Sequence, residues 1–277
     1  MNKYIDDLIK LALLEDIGSG DITTDLIFSQ ATDLFTTATV TAKEDLILSG
    51  LIPFERTFDL LADDFEFQVQ AKDGDSLKTG DKIISVNGNI SNLLKGERVA
   101  LNFIQKLSGI ATLTNKYIKK IGSAKTKILD TRKTTPAFRM LEKKAVSDGG
   151  GFNHRYNLAS GIMIKDNHIK AAGSILKAVD LVRAGDNMSM KIEVETKTLE
   201  QVEEACLAKA DIIMLDNMSP KLIKKALKII NKSCEVEISG GIGFDNILDY
   251  INLGADYISV GALTHHATSV DISMNIE

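Results

Sequence analysis

Apolar residues change their spacing along this chain near residue 120. Before that point, Tyr4, Ile5, Leu8, Ile9, Leu11 and Leu13 recur with helical periodicity and predict a helix that ends before Gly18. Alternating segments follow at Phe35–Thr41, Phe65–Val69 and Lys82–Val86, each predicting a short strand. Pro53 opens a helix running to Leu61, since proline suits the first helical turn. Ser91 is placed to cap a long helix through Glu97, Arg98 and Phe103, with an interruption expected near Gly109. Helices mixed with short, antiparallel-looking strands predict an α+β sandwich over residues 1–110.

From Lys125 onward, short apolar runs alternate with amphipathic stretches. The runs are Lys127–Asp130, Ile162–Lys165, Lys191–Glu195, Ile212–Asp216, Glu235–Ser239 and Tyr257–Gly261. Helices fit between most of them, as at Ser174–Arg183, Leu199–Ala208 and Pro220–Ile230. Such a βα rhythm implies parallel strands. Six strands are too few for a closed eightfold barrel, so an incomplete barrel and an open doubly wound sheet both fit. One pattern favours the barrel: every predicted strand hands over, at its C-terminal end, to residues suited to chemistry. These are Arg132 with Lys133, Lys165, Glu195, Asp216, the Ser239-Gly240-Gly241 turn, and Gly261. This second domain is assigned residues 111–277, with the last ten or so expected to pack back on the first domain.

Composition narrows the function. The 277 residues carry a net charge of −5, which argues against a general nucleic-acid or anionic-membrane binder. Cys206 and Cys234 are far apart without a CxxC, which disfavours a disulfide scaffold or zinc ribbon. No apolar run approaches a membrane span, and the acid-containing N-terminal stretch does not read as a signal peptide, so a cytoplasmic enzyme is expected. The charge is unevenly spread: residues 125–170 hold ten cations and four acids, +6, leaving −11 for the rest. A basic concentration inside an acidic chain suggests a small polyanionic substrate held in a pocket. Lys143 and Lys144 read as coating a helix face, whereas Arg132, Lys133 and Lys165 follow directly on apolar strands, where an unpaired charge is costly.

Gly149-Gly150-Gly151 before Asn153-His154-Arg155 lets backbone approach a ligand and then offers two cationic or donor side chains. Ser239-Gly240-Gly241 and Gly261-Ala262 resemble the phosphate cradle in the last two loops of many α/β barrels. Glycines of either kind read equally as turns. Glu195 and Asp216, acids at neighbouring strand ends, suit a magnesium ion held directly or through water, or a developing positive charge on a sugar. Arg98, in mid-helix, reads on its own as solvated.

Several strings together resemble the quinolinate phosphoribosyltransferase family. They are Leu14–Thr24, Glu97–Phe103, Leu107–Thr112, Asp130–Pro136, Gly149–Arg155, Lys165–His168, Glu193–Glu195, Leu215–Asn217 and Ser239–Gly241, in order over nearly the whole chain. The resemblance implies an α/β sandwich followed by an incomplete barrel of six or seven strands. It also implies a homodimer, with hexameric assembly left open, in which Arg98 reaches the neighbouring chain's site. By the same resemblance Arg132, His154, Arg155 and Lys165 receive the two quinolinate carboxylates and the 5-phosphate, and Thr131 lies in the substrate loop. Lys133, Glu195 and Asp216 then face ribose, pyrophosphate and Mg²⁺, and Ser239, Gly240, Gly241, Val260 and Gly261 bind phosphate. The implied reaction is phosphoribosyl transfer from phosphoribosyl pyrophosphate to quinolinate with decarboxylation. Ala137 departs from the family's usual glycine, and Asp148 precedes the triple glycine. The related ModD group lacks the Lys-Asp-Asn-His string present here as Lys165–His168. Two rivals are a barrel aldolase with Lys165 as Schiff-base nucleophile and a biotin- or lipoate-carrier module around Lys72–Asp81. The second lacks the attachment lysine between methionines.

Overall fold

A computed structural model describes residues 3–29, 34–185 and 190–276. In chain order the elements are α1 (Lys3–Ile17), α2 (Ile22–Ile27), β1 (Phe35–Ala42), β2 (Leu46–Ile47), α3 (Leu51–Asp59), β3 (Glu66–Val69), β4 (Ser76–Leu77), β5 (Lys82–Asn89) and α4 (Ile90–Ile121). Then come β6 (Lys127–Leu129), α5 (Arg139–Asp148), β7 (Ile162–Ile164), α6 (Asp166–Ala172), α7 (Ile175–Arg183), β8 (Ile192–Thr196), α8 (Leu199–Leu207), β9 (Ile212–Asp216) and α9 (Pro220–Ile230). The chain closes with β10 (Glu235–Ser239), α10 (Leu248–Ile251), β11 (Tyr257–Ser259), α11 (Ala262–His265) and β12 (Ile272–Ile276). They group into two compact units, one of Met1–Asn115, Thr135–Gly150 and His266–Glu277, the other of Lys116–Thr134 and Gly151–His265. No single cut separates them: α5 and β12 belong with the first unit although they follow β6 in sequence.

The first unit is built on an antiparallel sheet in the order β12-β1-β5-β3. Ala38, Val40 and Ala42 of β1 and Ile84 and Val86 of β5 are fully buried, and they pack with Phe54, Phe58, Leu93 and Ile104 from α3 and α4. Phe54 and Phe58 meet edge to face at 5.4 Å. Burying each such ring stabilises by roughly 1.5–3 kcal/mol, so this cluster is the unit's main cohesive element. α5 is tied in where Ser49 Oγ donates to Asp148 at 2.7 Å and Asn115 Nδ2 to the Gly149 carbonyl at 3.3 Å. Asp148 is thus a structural anchor. The stretch Lys72–Asp81 forms two turns around β4, with Gly74 and Gly80 at positive φ, and is a connector within the sheet rather than a display hairpin.

Three local expectations are corrected. The cap of α4 is Asn89, whose Oδ1 accepts from the Ser91 and Asn92 amides, because Asn89 sits one residue ahead of the first helical residue. α4 is unbroken for 32 residues. Gly109 is there for packing: a Cβ at this position would run into the Thr268 carbonyl. Lys143 is buried at 3% exposure instead of coating a helix, since the turn Leu141–Val146 faces inward; only Lys144 is exposed, paired with Asp148.

The second unit holds a six-stranded, wholly parallel sheet in the order β6-β11-β10-β9-β8-β7. This order decides between the two architectures. A doubly wound sheet reverses direction in mid-sheet, whereas here each strand from β8 to β11 adds beside its predecessor, and β11 returns to pair with the first strand, β6. That is barrel winding, left open between β6 and β7. Ser174, Thr198 and Ser219 cap α7, α8 and α9 with their hydroxyls, and Asp211 Oδ2 accepts from the Ile192 amide at 2.7 Å.

The Gly109 packing carries a test whose sign is informative. In an ordinary helix Gly→Ala stabilises by about 1 kcal/mol. Gly109→Ala is expected to destabilise by about 2 kcal/mol, because the added methyl meets backbone that cannot yield cheaply. Urea denaturation of the variant and of the parent gives the comparison.

Candidate active site

Alternation along the parallel strands decides which side chains share a face. In-register partners Glu195 and Met214, Met214 and Glu237, and Asp216 and Ser239 point the same way. Ile192, Val194, Ile213, Leu215, Val236 and Ile238 take the other face and are buried as core. One face of this sheet therefore carries an unusual load of polar groups: Glu193, Glu195, Asp216, Glu237, Ser239 and Ser259. Lys165 continues it one residue beyond β7.

At the C-terminal rim Lys165 Nζ donates to Glu195 Oε2 at 2.7 Å. Lys197 lies 4.0 Å from the other oxygen of Glu195 and bonds Asp166 at 3.3 Å. Asp216 accepts from Asn217 Nδ2 at 2.9 Å, while the Asn217 amide donates to the Ser239 carbonyl at 2.8 Å. Gly240, at φ +93°, passes so close to Asn217 that a Cβ would collide with its side chain, and Gly241 is also left-handed at φ +64°. Beside β11, Gly261 leaves room for Lys133: a Cβ there would stand 3.1 Å from Lys133 Cδ. The Lys133 carbonyl accepts from Thr264 Oγ1 at 2.8 Å, its amide donates to Thr131 Oγ1 at 3.1 Å, and the Val260 amide donates to Leu129. The loop after the first strand is thus clamped to the loop after the last.

Arg155 is held by Gly161, whose carbonyl accepts from its guanidinium at 2.9 Å. Burial, and next the nearby Arg132 cation, bring Arg155 below its ordinary pKa, with Glu193 opposing. The two arginines are thus electrostatic neighbours. An apolar groove of about 820 Å³ along β7 includes Arg155 and His168 in its lining, but none of the other candidate residues.

Beneath the rim His154 Nε2 lies 3.1 Å from Glu193 and 3.5 Å from Glu237. Among the described residues this trio is the group of three or more metal-ligand types with atoms mutually within 4.8 Å; Glu195 and Asp216 are in no such group. Burial, and then the neighbouring Glu193 carboxylate, push Glu237 up to about 7.

The structure brings Thr131, Arg132, Lys133, His154, Arg155, Lys165, Glu195, Asp216, Ser239, Gly240, Gly241, Val260 and Gly261 into the second unit, at or just beyond its strand ends except for His154 and Arg155, which follow an isolated parallel bridge between Phe152 and Leu129. Arg98 is exposed on α4 in the first unit. Sequence reasoning passed over Asp130, Glu193, Asn217 and Glu237. A usable signal existed for the glutamates, since Glu193 and Glu195 alternate within one strand and must share a face.

The protonation of Glu237 has a direct consequence for stability. An unfolded chain releases this proton near 4.5 and the folded one near 7, so Glu237 contributes fully at low pH and loses that contribution as pH rises between the two. Over this window the unfolding free energy of the parent is expected to fall by about 3 kcal/mol relative to Glu237→Gln. Denaturation of both proteins at pH 4.5 and 8 measures the difference.

Comparison with known proteins gives the family. Residues 21–108 match the model for "Quinolinate phosphoribosyl transferase, N-terminal domain", and residues 110–275 that for the C-terminal domain. A "Probable nicotinate-nucleotide pyrophosphorylase [carboxylating]" of Bacillus subtilis is 44% identical over 97% of this chain and 92% of its own length. The solved structure of NadC from Streptococcus pyogenes is 45% identical, with a TM-score of 0.93 over 99% of this chain and 96% of that one. The nicotinate-nucleotide pyrophosphorylase from Francisella tularensis, 39% identical, also has a TM-score of 0.93, over 100% and 97%. With its sandwich sheet, its incomplete parallel barrel and matches over nearly its full length, the chain belongs to the quinolinate phosphoribosyltransferase family.

Proposed function

We infer that this chain is a nicotinate-nucleotide pyrophosphorylase (carboxylating): it joins quinolinate to the phosphoribosyl group of phosphoribosyl pyrophosphate and releases CO₂ and pyrophosphate. The observation that carries this reading is that Lys133, Lys165, Glu195 and Asp216, with the glycine turns at Gly240 and Gly261, lie at or just beyond the C-terminal ends of parallel strands of one sheet, within a full-length family match. The reactants are both polyanions and repel each other. Assembling them needs fixed cations, and arginine is suited to carboxylates because its planar fork bonds both oxygens at once.

Arg132, Arg155 and Lys165 receive the quinolinate carboxylates and the 5-phosphate in this reading, with His154 ordering Arg155. Lys133 faces the pyrophosphate, and the backbone of Ser239–Gly241 and Val260–Gly261 cradles phosphate. The ring nitrogen attacks the sugar carbon C1 with its free lone pair, so no general base is required. The C1–O bond breaks with its electron pair leaving on pyrophosphate, and C1 gains oxocarbenium character that the Glu195 and Asp216 carboxylates stabilise. Alkylation leaves the nitrogen cationic. The adjacent carboxylate departs as CO₂, its bonding pair stays on the ring carbon beside N⁺, and a solvent proton completes nicotinate mononucleotide.

Magnesium fits the donor set as an ion held mainly through water, since Glu195 and Asp216 are oxygen ligands that each already engage one oxygen with Lys165 or Asn217. When bound with pyrophosphate it lowers the charge of the leaving group. The exposure of Arg98, together with exposed Leu11, Leu14, Ile22, Leu26 and Ile27 on α1 and α2, supports a homodimer in which Arg98 serves the neighbouring site. No helix among the described residues is long and apolar enough to cross a membrane, in keeping with a cytoplasmic location. Lys165, salt-bridged and 43% exposed, is poorly suited to Schiff-base chemistry, which needs a neutral amine.

Purified protein mixed with phosphoribosyl pyrophosphate and Mg²⁺ is expected to form nicotinate mononucleotide and CO₂ from quinolinate and no product from nicotinate; the reverse preference would refute the reading. Arg155→Lys is expected to weaken quinolinate binding by about 1–3 kcal/mol through loss of the fork, as titration calorimetry can determine.

A further inference from the structure

The trio beneath the rim has no part in the bond-making steps, yet two acids on the floor of a site for polyanions need a reason. The hydrogen bonds supply one. The Arg155 amide donates to His154 Nδ1 at 2.7 Å, so Nδ1 must present a lone pair and the ring proton of the neutral imidazole sits on Nε2. Nε2–H then donates to Glu193 at 3.1 Å, with Glu237 at 3.5 Å sharing the approach. The His154 amide is anchored to Asp130 Oδ1 at 2.8 Å, and Asp130 is fully buried. Side-chain exposure is 6% for Glu193 and 2% for Glu237, so neither acid can reorient into solvent. On the far side of the ring Arg155 is fixed at its amide by His154 and at its guanidinium by Gly161.

We propose that Glu193 and Glu237 are positioning residues for quinolinate binding: by holding the Nε2–H edge of His154, they fix its Nδ1 edge on the Arg155 amide and so set the direction of the Arg155 guanidinium. This rests on the phosphoribosyltransferase reading of the site. The Arg155 amide already disfavours the Nδ1–H form, which would set two donors against each other, and the acids give the remaining Nε2–H its acceptor; without them that donor is left unpaired and the ring loses the contact that holds it on the Arg155 amide. Both ring nitrogens are engaged within the chain, so His154 acts on substrate through Arg155. The protonation that burial favours at Glu237 also limits the negative charge under the bound dianion.

Two measurements test it. Glu193→Leu is expected to raise KM for quinolinate about tenfold while KM for phosphoribosyl pyrophosphate moves by less than about twofold, and Glu193→Gln, which keeps an acceptor oxygen, recovers part of the loss. Thermal melting reports whether each variant is folded. Independently of any variant, imidazole ¹⁵N spectra of the parent protein are expected to show His154 with its proton on Nε2. Equal shifts in both KM values, a ring protonated on Nδ1, or a stoichiometric divalent cation found by elemental analysis of the purified protein would each overturn the proposal, the last by making the trio a metal site. A parent protein that turns over quinolinate normally but shows one of these results defeats only this inference, whereas a parent inactive with quinolinate defeats the functional reading itself.

Discussion

Like charges gathered for a polyanion must be held together before the polyanion arrives. Two unit charges about 8 Å apart repel by about 2 kcal/mol at the effective dielectric of a protein surface, and this site collects several cations. The chain meets the constraint with acids placed among and below them. Lys165 rests on Glu195, and Lys197 lies between Glu195 and Asp166. Glu193 offsets the effects of burial and Arg132 on Arg155. Glu193 and Glu237 lie two residues earlier on their strands than Glu195 and Ser239, so acidic groups are stacked beneath the rim rather than spread across it, with burial limiting the charge that Glu237 adds. Such an arrangement preserves attraction for an incoming anion while the empty protein stays assembled.

Barrel winding makes that stacking available. Because β11 returns to β6, the loop after the first strand and the loop after the last become neighbours, and Lys133 packs against Gly261 across 128 positions of sequence. The parallel register brings the strand ends level, with Asp216 opposite Ser239, so side chains from separate βα units reach one rim without long loops. The turns then trade side chains for backbone: Asn217 at φ +55° and Gly240 at φ +93° are packed so tightly that only hydrogen fits at the second. Glycine backbone at such a turn lacks the bulk that would keep a phosphate at a distance.

Much of this was legible in the residues, and the parts that were not share a cause. Apolar runs of three to five residues between amphipathic helices marked all six barrel strands, since period and length are local properties. The strand order is not local: only the pairing of β6 with β11 separates the two architectures that the runs allow. Gly109 misled for the same reason. In sequence it reads as a break, because a glycine's weak helix propensity is visible there and the carbonyl of Thr268, 159 positions away, is not. The charge of Lys143 alone points to a solvent face, although its helix turns Leu141, Ala145 and Val146 inward. At the site the cations were conspicuous by type, whereas Glu193 and Glu237 passed as strand acids because their meaning depends on His154, which reaches them only in three dimensions.

Ala137 shows how the chain compensates when a local rule is broken. The family resemblance sets glycine here, and the structure gives the reason: φ is +59°, a left-handed conformation that costs an L-residue roughly 1 kcal/mol or more. The methyl group keeps that conformation because its surroundings over-determine it. Tyr4 Oη donates to the Ala137 carbonyl at 2.7 Å, and the next residue, Phe138, stacks on Phe103 at 5.5 Å and 14° between ring planes. Glu142, fully buried, accepts from the amide and hydroxyl of Thr135 on the other side. An alanine also has fewer unfolded conformations than glycine, which returns part of the strain as lower chain entropy. The segment that follows Arg132 and Lys133 in sequence is therefore fixed by contacts on both flanks, where glycine would have left it to conformational freedom.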